Sequence, residues 1–138
     1  MRSQPAYVCA ILLDRHGRLL MERRYPKQSL AARHLTCFGG GREFHEQPLM
    51  ALRRELREEL AWCPSRFGPS IDLYVLRSWI ARFYLVKLDA FPAVPQRGPG
   101  GWPDTIPVAQ FNHPTVSRWH REVLRAWRSG RRRVTLRS

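Results

Sequence analysis

The stretch from Gly40 to Trp62, GGREFHEQPLMALRRELREELAW, decides the fold of this chain. Its second half predicts an amphipathic helix, because Pro48 suits the first helical position and no Gly or Pro follows before Trp62. With about 100° of rotation per residue, one face that would enter a core collects the leucines Leu49, Leu52, Leu56 and Leu60. The opposite face collects the arginines Arg53, Arg54 and Arg57.

A third stripe of the same helix is acidic and consists of Glu55, Glu58 and Glu59. Glutamates three and four positions apart repel each other by about 0.2–0.5 kcal/mol per pair. A divalent cation held between the carboxylates removes this conflict, and a Gly-rich turn upstream lets the backbone approach a phosphate–metal group closely. The alternative is a charged surface patch, which composition alone would favour.

These residues resemble the box of the Nudix hydrolases, G-x5-E-x7-R-E-U-x-E-E-x-G-U, in which U is a bulky apolar residue. The matching positions are Gly40, Glu46, Arg54, Glu55, Leu56, Glu58, Glu59 and Trp62. One box position departs, because Ala61 replaces the Gly; nearby, Phe38 and His45 stand where Pro and Gly are usual. The resemblance implies a Nudix α/β/α sandwich, with a mixed curved sheet between the box helix and a C-terminal helix.

Length and composition fit one soluble domain over residues 1–138. The start of the chain lacks the apolar core of a signal peptide, and no run is apolar enough to span a membrane. The three cysteines have no CxxC spacing, which favours free thiols in a reducing cytoplasm. We therefore expect a cytoplasmic protein without a membrane partner, either a monomer or a homodimer.

The net charge of +13, with 24 Lys plus Arg against 11 Asp plus Glu, would attract polyanions. It carries no information about sequence-specific recognition. We expect at most weak, non-specific binding of nucleic acid.

Outside the box, the pattern predicts strands at Tyr7 to Asp14, Arg18 to Arg23 and His34 to Phe38, the last leading into a turn at Gly39-Gly40-Gly41. The segment Tyr25 to Arg33 reads as a surface loop. Ile71 to Leu88 reads as two strands or one long bent strand. Ala90 to Pro107 is rich in Pro and Gly and predicts a loop, with at most a brief strand at Trp102. A second helix is expected from Pro114, followed by a basic, mobile tail over residues 128–138.

The Nudix resemblance implies hydrolysis of a nucleoside diphosphate linked to another group, with Mg²⁺ or Mn²⁺ as cofactor. It assigns the metal to Glu55, Glu58, Glu59 and the carbonyl of Gly40. The implied catalytic residues are Glu55, which would also orient or deprotonate the water, Glu59, and Glu46 as an outer helper. Arg54 lies opposite the acidic stripe and is expected to brace the loop.

A looser resemblance is to the MutT-type branch, which hydrolyses nucleoside triphosphates to monophosphate and pyrophosphate. The paired Arg23-Arg24 matches its usual arginines at the end of the second strand, and Asn112-His113-Pro114 matches its helix entry. The implied substrate-binding residues are Arg23, Arg24 and Asn112. A solvated strand end and a helix-capping Asn are the alternative readings of these residues.

The MutT-type pattern also places a metal-binding Glu in the loop before Trp102, and Gln96 stands at that position. An amide cannot act as a base, so Asp89 and Asp104 are the acidic residues that would substitute. Cys37 likewise replaces the aromatic residue common two positions before the Gly pair. These departures leave open other nucleotide conjugates, namely ADP-ribose, a dinucleoside polyphosphate or an RNA 5′ end. A Nudix-fold nucleic-acid-binding protein without turnover is the rival from a different class.

Overall fold

A computed structural model describes residues 4–26 and 34–138 of the chain. The predicted loop from Tyr25 to Arg33 lies largely outside these residues. In chain order the elements are β1 (Tyr7–Leu13), β2 (Arg18–Arg24), β3 (Leu35–Thr36), β4 (Phe38–Gly41), α1 (Pro48–Leu60), β5 (Ser70–Val75), β6 (Ser78–Lys87), β7 (Gly101–Pro107), α2 (Arg118–Arg128) and β8 (Arg133–Leu136).

The strands form one mixed, open sheet with the path β3-β2-β1-β6-β5-β8. Strand β1 is its centre and runs parallel to β6 along its whole length. On its other side, β1 pairs antiparallel with β4 through residues 7–10 and with β2 through residues 12–13. The antiparallel pair β2–β7 and the parallel pair β5–β8 complete the sheet.

The two helices cover opposite faces of this sheet, as the sandwich prediction requires. Alternate residues of β1 point to opposite faces, so Val8 and Ala10 pack with the leucines of α1, whereas Cys9 and Ile11 pack on the side of α2. Helix α1 buries Leu52, Leu56 and Leu60 completely. The predicted Nudix sandwich is therefore confirmed. Within the described residues, no helix is both long and apolar enough to cross a membrane.

The long β-prone stretch forms two strands, which decides between the alternatives left open by its sequence. Strands β5 and β6 pair antiparallel through a tight turn at Leu76 and Arg77. Both residues have positive φ, 51° and 75°, as the two central positions of a type I′ hairpin require.

The glycine run was predicted to be a turn and instead forms most of strand β4. A Cβ on Gly39 would lie 2.0 Å from the carbonyl oxygen of Val8 in the paired strand β1. The glycines thus serve close strand pairing here, and the turn comes after them, between Gly41 and Pro48.

The segment before α2 also differs from its prediction. The expected loop up to Pro107 contains strand β7, which pairs with β2 over seven positions and tolerates its prolines because it lies at an edge of the sheet. The helix expected from Pro114 begins only at Arg118. Residues 115–117 are held in extended form by hydrogen bonds with Leu35, which forms an isolated parallel bridge with Val116.

The basic end of the chain was predicted to be mobile, and this is wrong for residues 133–136. They form β8 at the edge of the sheet beside β5. Val134 is buried in the core, and the guanidinium of Arg133 lies 4.0 Å from the centre of the Tyr74 ring. The alternating apolar residues Val134 and Leu136 are sufficient for an edge strand, although arginines dominate this part of the sequence.

The end of helix α1 shows why Gly is favoured at the one box position where this chain has Ala61. Ala61 follows the helix in the left-handed conformation, with φ 51° and ψ 31°, and its N–H donates to the carbonyl of Arg57. A residue with a Cβ pays a steric penalty in this region, whereas Gly adopts it freely.

We predict that Ala61→Gly raises the free energy of unfolding by about 0.5–1 kcal/mol, because it removes this penalty. Urea titration measures the change as a higher midpoint at constant m-value. The matched control is Ala51→Gly, which places the same substitution in the helix interior and should lower stability. A destabilised Ala61→Gly variant would contradict the explanation.

Candidate active site

The site begins at the contact between helix α1 and strand β4. The carboxyl group of Glu55 lies directly over Gly40, where a Cβ would stand 2.4 Å from the carboxyl carbon. Only 13% of the Glu55 side chain is exposed. A Cβ at position 40 would therefore displace the Glu55 carboxyl group from its place over the strand.

Arg54 holds this contact in place from the side. Its Nε and one terminal nitrogen donate to the two oxygens of Glu46, each at 2.8 Å. The same terminal nitrogen donates to the carbonyl of Gly41 at 3.0 Å, and the other donates to Glu55 at 2.9 Å. These bonds agree with the predicted bracing role of Arg54, but its predicted position opposite the acidic stripe is wrong, because it contacts Glu55 and Glu58 of that stripe.

Glu46 is the partner that makes the brace rigid. Only 6% of it is exposed, and its Oε1 also accepts the backbone N–H of Glu43 at 2.8 Å. The hydrogen bonds from Arg54 hold the pKa of Glu46 at about 2, so it is charged at neutral pH. Its contacts are with the loop and Arg54; its role as an outer catalytic helper stays a prediction.

The acidic stripe of α1 spreads from solvent to the interior. The Glu58 side chain is 54% exposed and lies 3.6 Å from Arg54. Glu59 lies further inside, and its Oε2 is buried without a hydrogen-bond partner. Burial is the main cause that raises the pKa of Glu55. In residues 4–26 and 34–138, no three His, Cys, Asp or Glu side chains converge into a ready metal cage, since Glu55 and Glu58 turn toward Arg54.

Glu22 is a residue of this site that the sequence reasoning missed. It lies in the middle of β2, only 2% exposed, and its carboxyl is close enough to Glu59 for the charge of Glu59 to act on it. Its Oε1 accepts a hydrogen bond from Arg24 at 3.2 Å, whereas its Oε2 is buried without a partner. Burial, and then the neighbouring Glu59, raise the pKa of Glu22. Strand alternation was the available signal, because Glu22 shares its face with the buried Leu20.

A cavity of about 430 Å³ opens beside these carboxylates. Its polar lining includes Glu59, Arg24 and residues 39–41. The rest of its lining is largely aromatic and apolar, with Tyr7, Leu73, Ile80, Phe83, Trp119 and His120. The cavity wall therefore combines a carboxylate and a guanidinium group with aromatic rings.

His120 is fixed as a neutral ring in this wall. Its Nδ1 accepts the backbone N–H of Cys37 at 3.0 Å, and the ring stands edge-on to Phe83 at 5.2 Å. Burial, and to a smaller extent Arg24, lower the pKa of His120 to about 4. At neutral pH its proton is consequently on Nε2, since Nδ1 is an acceptor.

The predicted substrate-binding residues are separated by the fold. Arg24 lines the main cavity. Arg23, on the other face of β2, pairs with Asp104 at 3.0 Å and borders a second, smaller cavity together with His113. Asn112 is exposed, and its side-chain oxygen accepts a hydrogen bond from Arg125 at 2.7 Å. The structure thus brings Arg24 to the carboxylates, while Arg23 and Asn112 lie outside the lining of the main cavity.

The loop before Trp102 reaches the site with glycines. A Cβ on Gly98 would lie 3.2 Å from Oε2 of Glu59, and one on Gly100 would lie 3.3 Å from both oxygens of Glu22. Gly98 is held by its carbonyl, which accepts the hydroxyl of Tyr25 at 2.9 Å. This loop therefore places backbone, and no carboxylate, against the Glu22–Glu59 pair.

The three side chains considered for a downstream acid are engaged elsewhere or exposed. Gln96 is exposed. Asp89 is 82% exposed and lies 3.2 Å from Arg15, and Asp104 is held by Arg23.

The fold is shared with solved structures of low sequence identity. The MutT NUDIX hydrolase from Burkholderia pseudomallei is 22% identical, with a TM-score of 0.67 over 90% of this chain and 98% of that one. The E. coli ORF135 protein is 24% identical, with a TM-score of 0.64 over 89% and 87% of the two chains. The Ap4A hydrolase of C. elegans is 15% identical, with a TM-score of 0.70 over 90% and 96%.

A family comparison agrees with this likeness and with the box. No match is found among curated protein sequences. The NUDIX domain model, however, matches residues 3–127, which is most of the chain. Because this match covers the box helix, the glycine strand and most of the sandwich, the chain belongs to the Nudix hydrolase family.

Proposed function

We propose that this protein is a divalent-metal-dependent pyrophosphohydrolase that converts a nucleoside triphosphate to the monophosphate and pyrophosphate. The observation that carries the proposal is the main cavity, whose lining combines the carboxylate of Glu59 with aromatic rings and Arg24. A volume of about 430 Å³ lies within the range of small-molecule sites. The carboxylate suits phosphates bound through a cation, and the aromatic rings suit a base.

The carboxylates of α1 fit a divalent cation. The buried Oε2 of Glu59 has no hydrogen-bond partner, an arrangement that leaves a strong acceptor open for a ligand. Glu55, Glu58, Glu59 and the carbonyl of Gly40 would hold Mg²⁺ or Mn²⁺, which prefer oxygen ligands. Such an ion neutralises phosphate charge and lowers the pKa of bound water.

Glu55 is the candidate to orient the attacking water and accept its proton. Burial raises its pKa, which makes the carboxylate a better base than a solvated one. The bond from Arg54 fixes one of its oxygens and leaves the other available. Arg54 and Glu46 hence act by positioning Glu55 over Gly40.

The aromatic rings of the cavity wall would supply the contacts for the nucleoside. Trp119 is 37% exposed at the cavity wall, so its ring is accessible for stacking. His120 is a neutral hydrogen-bond donor, and Arg24 lies close enough to lower the pKa of His120. Because Arg24 also lines the cavity and donates to Glu22, it is a candidate to contact a phosphate.

We predict that Glu59→Gln lowers kcat by roughly 10²–10⁴-fold with little loss of stability, because it removes one ligand charge and one carboxylate repulsion. The experiment is a screen of nucleoside triphosphates, ADP-ribose, dinucleoside polyphosphates and capped or triphosphorylated RNA with Mg²⁺ and Mn²⁺. Phosphate released through coupled pyrophosphatase reports pyrophosphate formation.

The matched control is Glu122→Gln, the same change on the surface of α2, which should keep full turnover. Near-normal activity of Glu59→Gln on the best substrate would refute the metal assignment. Faster hydrolysis of ADP-ribose, a dinucleoside polyphosphate or an RNA 5′ end than of any nucleoside triphosphate would show that the substrate belongs to that class instead.

We also predict that Trp119→Ala raises KM about 5–100-fold while kcat changes little, since stacking of a base on an aromatic ring contributes about 1–3 kcal/mol. Steady-state kinetics on the best substrate measure both constants. Phe44→Ala is the control, because Phe44 is 98% exposed in the loop after β4. A fall in kcat at unchanged KM would show that Trp119 acts on the chemistry instead.

We infer further that the +13 charge gives only weak, sequence-blind association with nucleic acid. Removing residues 128–138 would damage the sheet, so charge substitutions are the sharper test. Arg131→Gln with Arg137→Gln, both exposed, should reduce the slope of log K against log salt by at most about 2. Fluorescence anisotropy should show no binding at about 0.15 M salt; tight, selective binding there would favour the non-catalytic rival.

A cytoplasmic location is part of the proposal. Cys9 and Cys37 are buried free thiols, and burial raises the pKa of Cys9 to about 12. Such thiols fit a reducing compartment, where they are packing residues.

A further inference from the structure

We propose that Glu22 in strand β2 is a metal ligand, and that it supplies, together with Glu59, the carboxylate that the loop before Trp102 lacks. This inference deepens the proposed function and rests on it. It assigns the additional ligand to an element on which the box resemblance places none.

Glu22 has the burial and the open carboxylate oxygen that are expected of a metal ligand. It is 98% buried, the Gly98–Gly100 backbone that covers it also covers Glu59, and one oxygen of each of the two carboxyl groups is buried without a hydrogen-bond partner. Buried polar atoms in proteins are nearly always hydrogen-bonded, so two unpartnered oxygens on neighbouring residues require an explanation. A divalent cation between them satisfies both.

The surroundings keep Glu22 available for this role. Arg24 occupies only Oε1, at 3.2 Å, and leaves Oε2 open. Gly100 approaches both oxygens so closely that a Cβ would be 3.3 Å away, and Gly98 approaches Glu59 in the same manner. A side chain at either glycine would crowd the pair, whereas the bare backbone covers the pair without touching it.

The absence of a competing acid supports the same assignment. Gln96 is exposed, Asp89 lies at the surface beside Arg15, and Asp104 is bound by Arg23. Among the described residues, Glu22 is the carboxylate from outside helix α1 that reaches Glu59. The alternative is a buried pair that shares a proton and binds no metal.

The experiment measures Mn²⁺ binding without nucleotide, by isothermal titration calorimetry and by the EPR signal of free Mn²⁺. Glu22→Gln keeps the shape of the side chain and should weaken the tightest Mn²⁺ site at least about 10-fold. Asp89→Asn removes the same charge at the surface and should leave binding unchanged. Gln96→Glu should also leave binding unchanged, because its side chain is exposed.

Thermal unfolding in EDTA shows whether each variant is folded, so that weaker Mn²⁺ binding can be separated from a loss of folding. Glu22→Gln should melt at the same or a higher temperature than the parent, since a carboxylate conflict is removed, and its gain in Tm on adding Mn²⁺ should be smaller. If this variant fails to fold, Glu22→Asp retains the charge with a shorter reach and should still weaken Mn²⁺ binding.

Three results are informative against the proposal. Parental Mn²⁺ binding by a folded Glu22→Gln, with weakened binding by Glu59→Gln, would overturn the role of Glu22 alone and leave the shared proton as its explanation. Parental binding by both variants would overturn the metal site in the proposed function. Stronger Mn²⁺ binding by Gln96→Glu would show that the additional metal ligand belongs to the loop before Trp102 and not to Glu22.

Discussion

The Glu55 carboxyl of helix α1 rests on Gly40 of strand β4, in the place that a Cβ would occupy. This contact depends on a second one, since β4 can pair with β1 only where Gly39 lacks a Cβ. Arg54 then joins strand, loop and helix by donating to Gly41, Glu46 and Glu55. Because Leu52, Leu56 and Leu60 of the same helix are fully buried, a movement of the acidic stripe would disturb the core. The geometry of the candidate site is thus fixed by packing as well as by hydrogen bonds.

The buried, neighbouring carboxylates of the site lower the stability of the folded protein. Glu22, Glu55 and Glu59 are carboxylates with reduced access to water, and burial raises the pKa of Glu22 and Glu55. Arg54 compensates the outer part of the group, where it holds Glu46 charged. Among the described residues, the cation that reaches the inner part is Arg24, which donates to one oxygen of Glu22. A group of acids left uncompensated in this way is expected at a site that receives positive charge from a ligand.

The sequence was enough to predict the box helix and the two helices on opposite faces of the sheet. Helical periodicity and motif spacing are local properties of the chain, which can be recognised without knowing the fold. The failures came where distant pairing decides the structure. Residues 133–136 became a strand through Asp72–Val75, and the start of α2 was delayed by the bridge between Leu35 and Val116. In the site, Glu55 and Glu59 were available from the motif. Glu22 was not, since its approach to Glu59 depends on how β2, α1 and the Gly98–Gly101 loop meet.

Two departures from the family pattern lie in different parts of the molecule. Cys37, where an aromatic residue is common, donates its backbone N–H to His120, and His120 in turn packs against Phe83. The aromatic rings of the cavity wall therefore come partly from α2, through Trp119 and His120. Gln96 is exposed, and the loop that carries it brings Gly98 against Glu59 and Gly100 against Glu22. On β2, Arg24 both lines the cavity and donates to Glu22, so under the proposed function a change at either residue would alter substrate contacts and cation binding together.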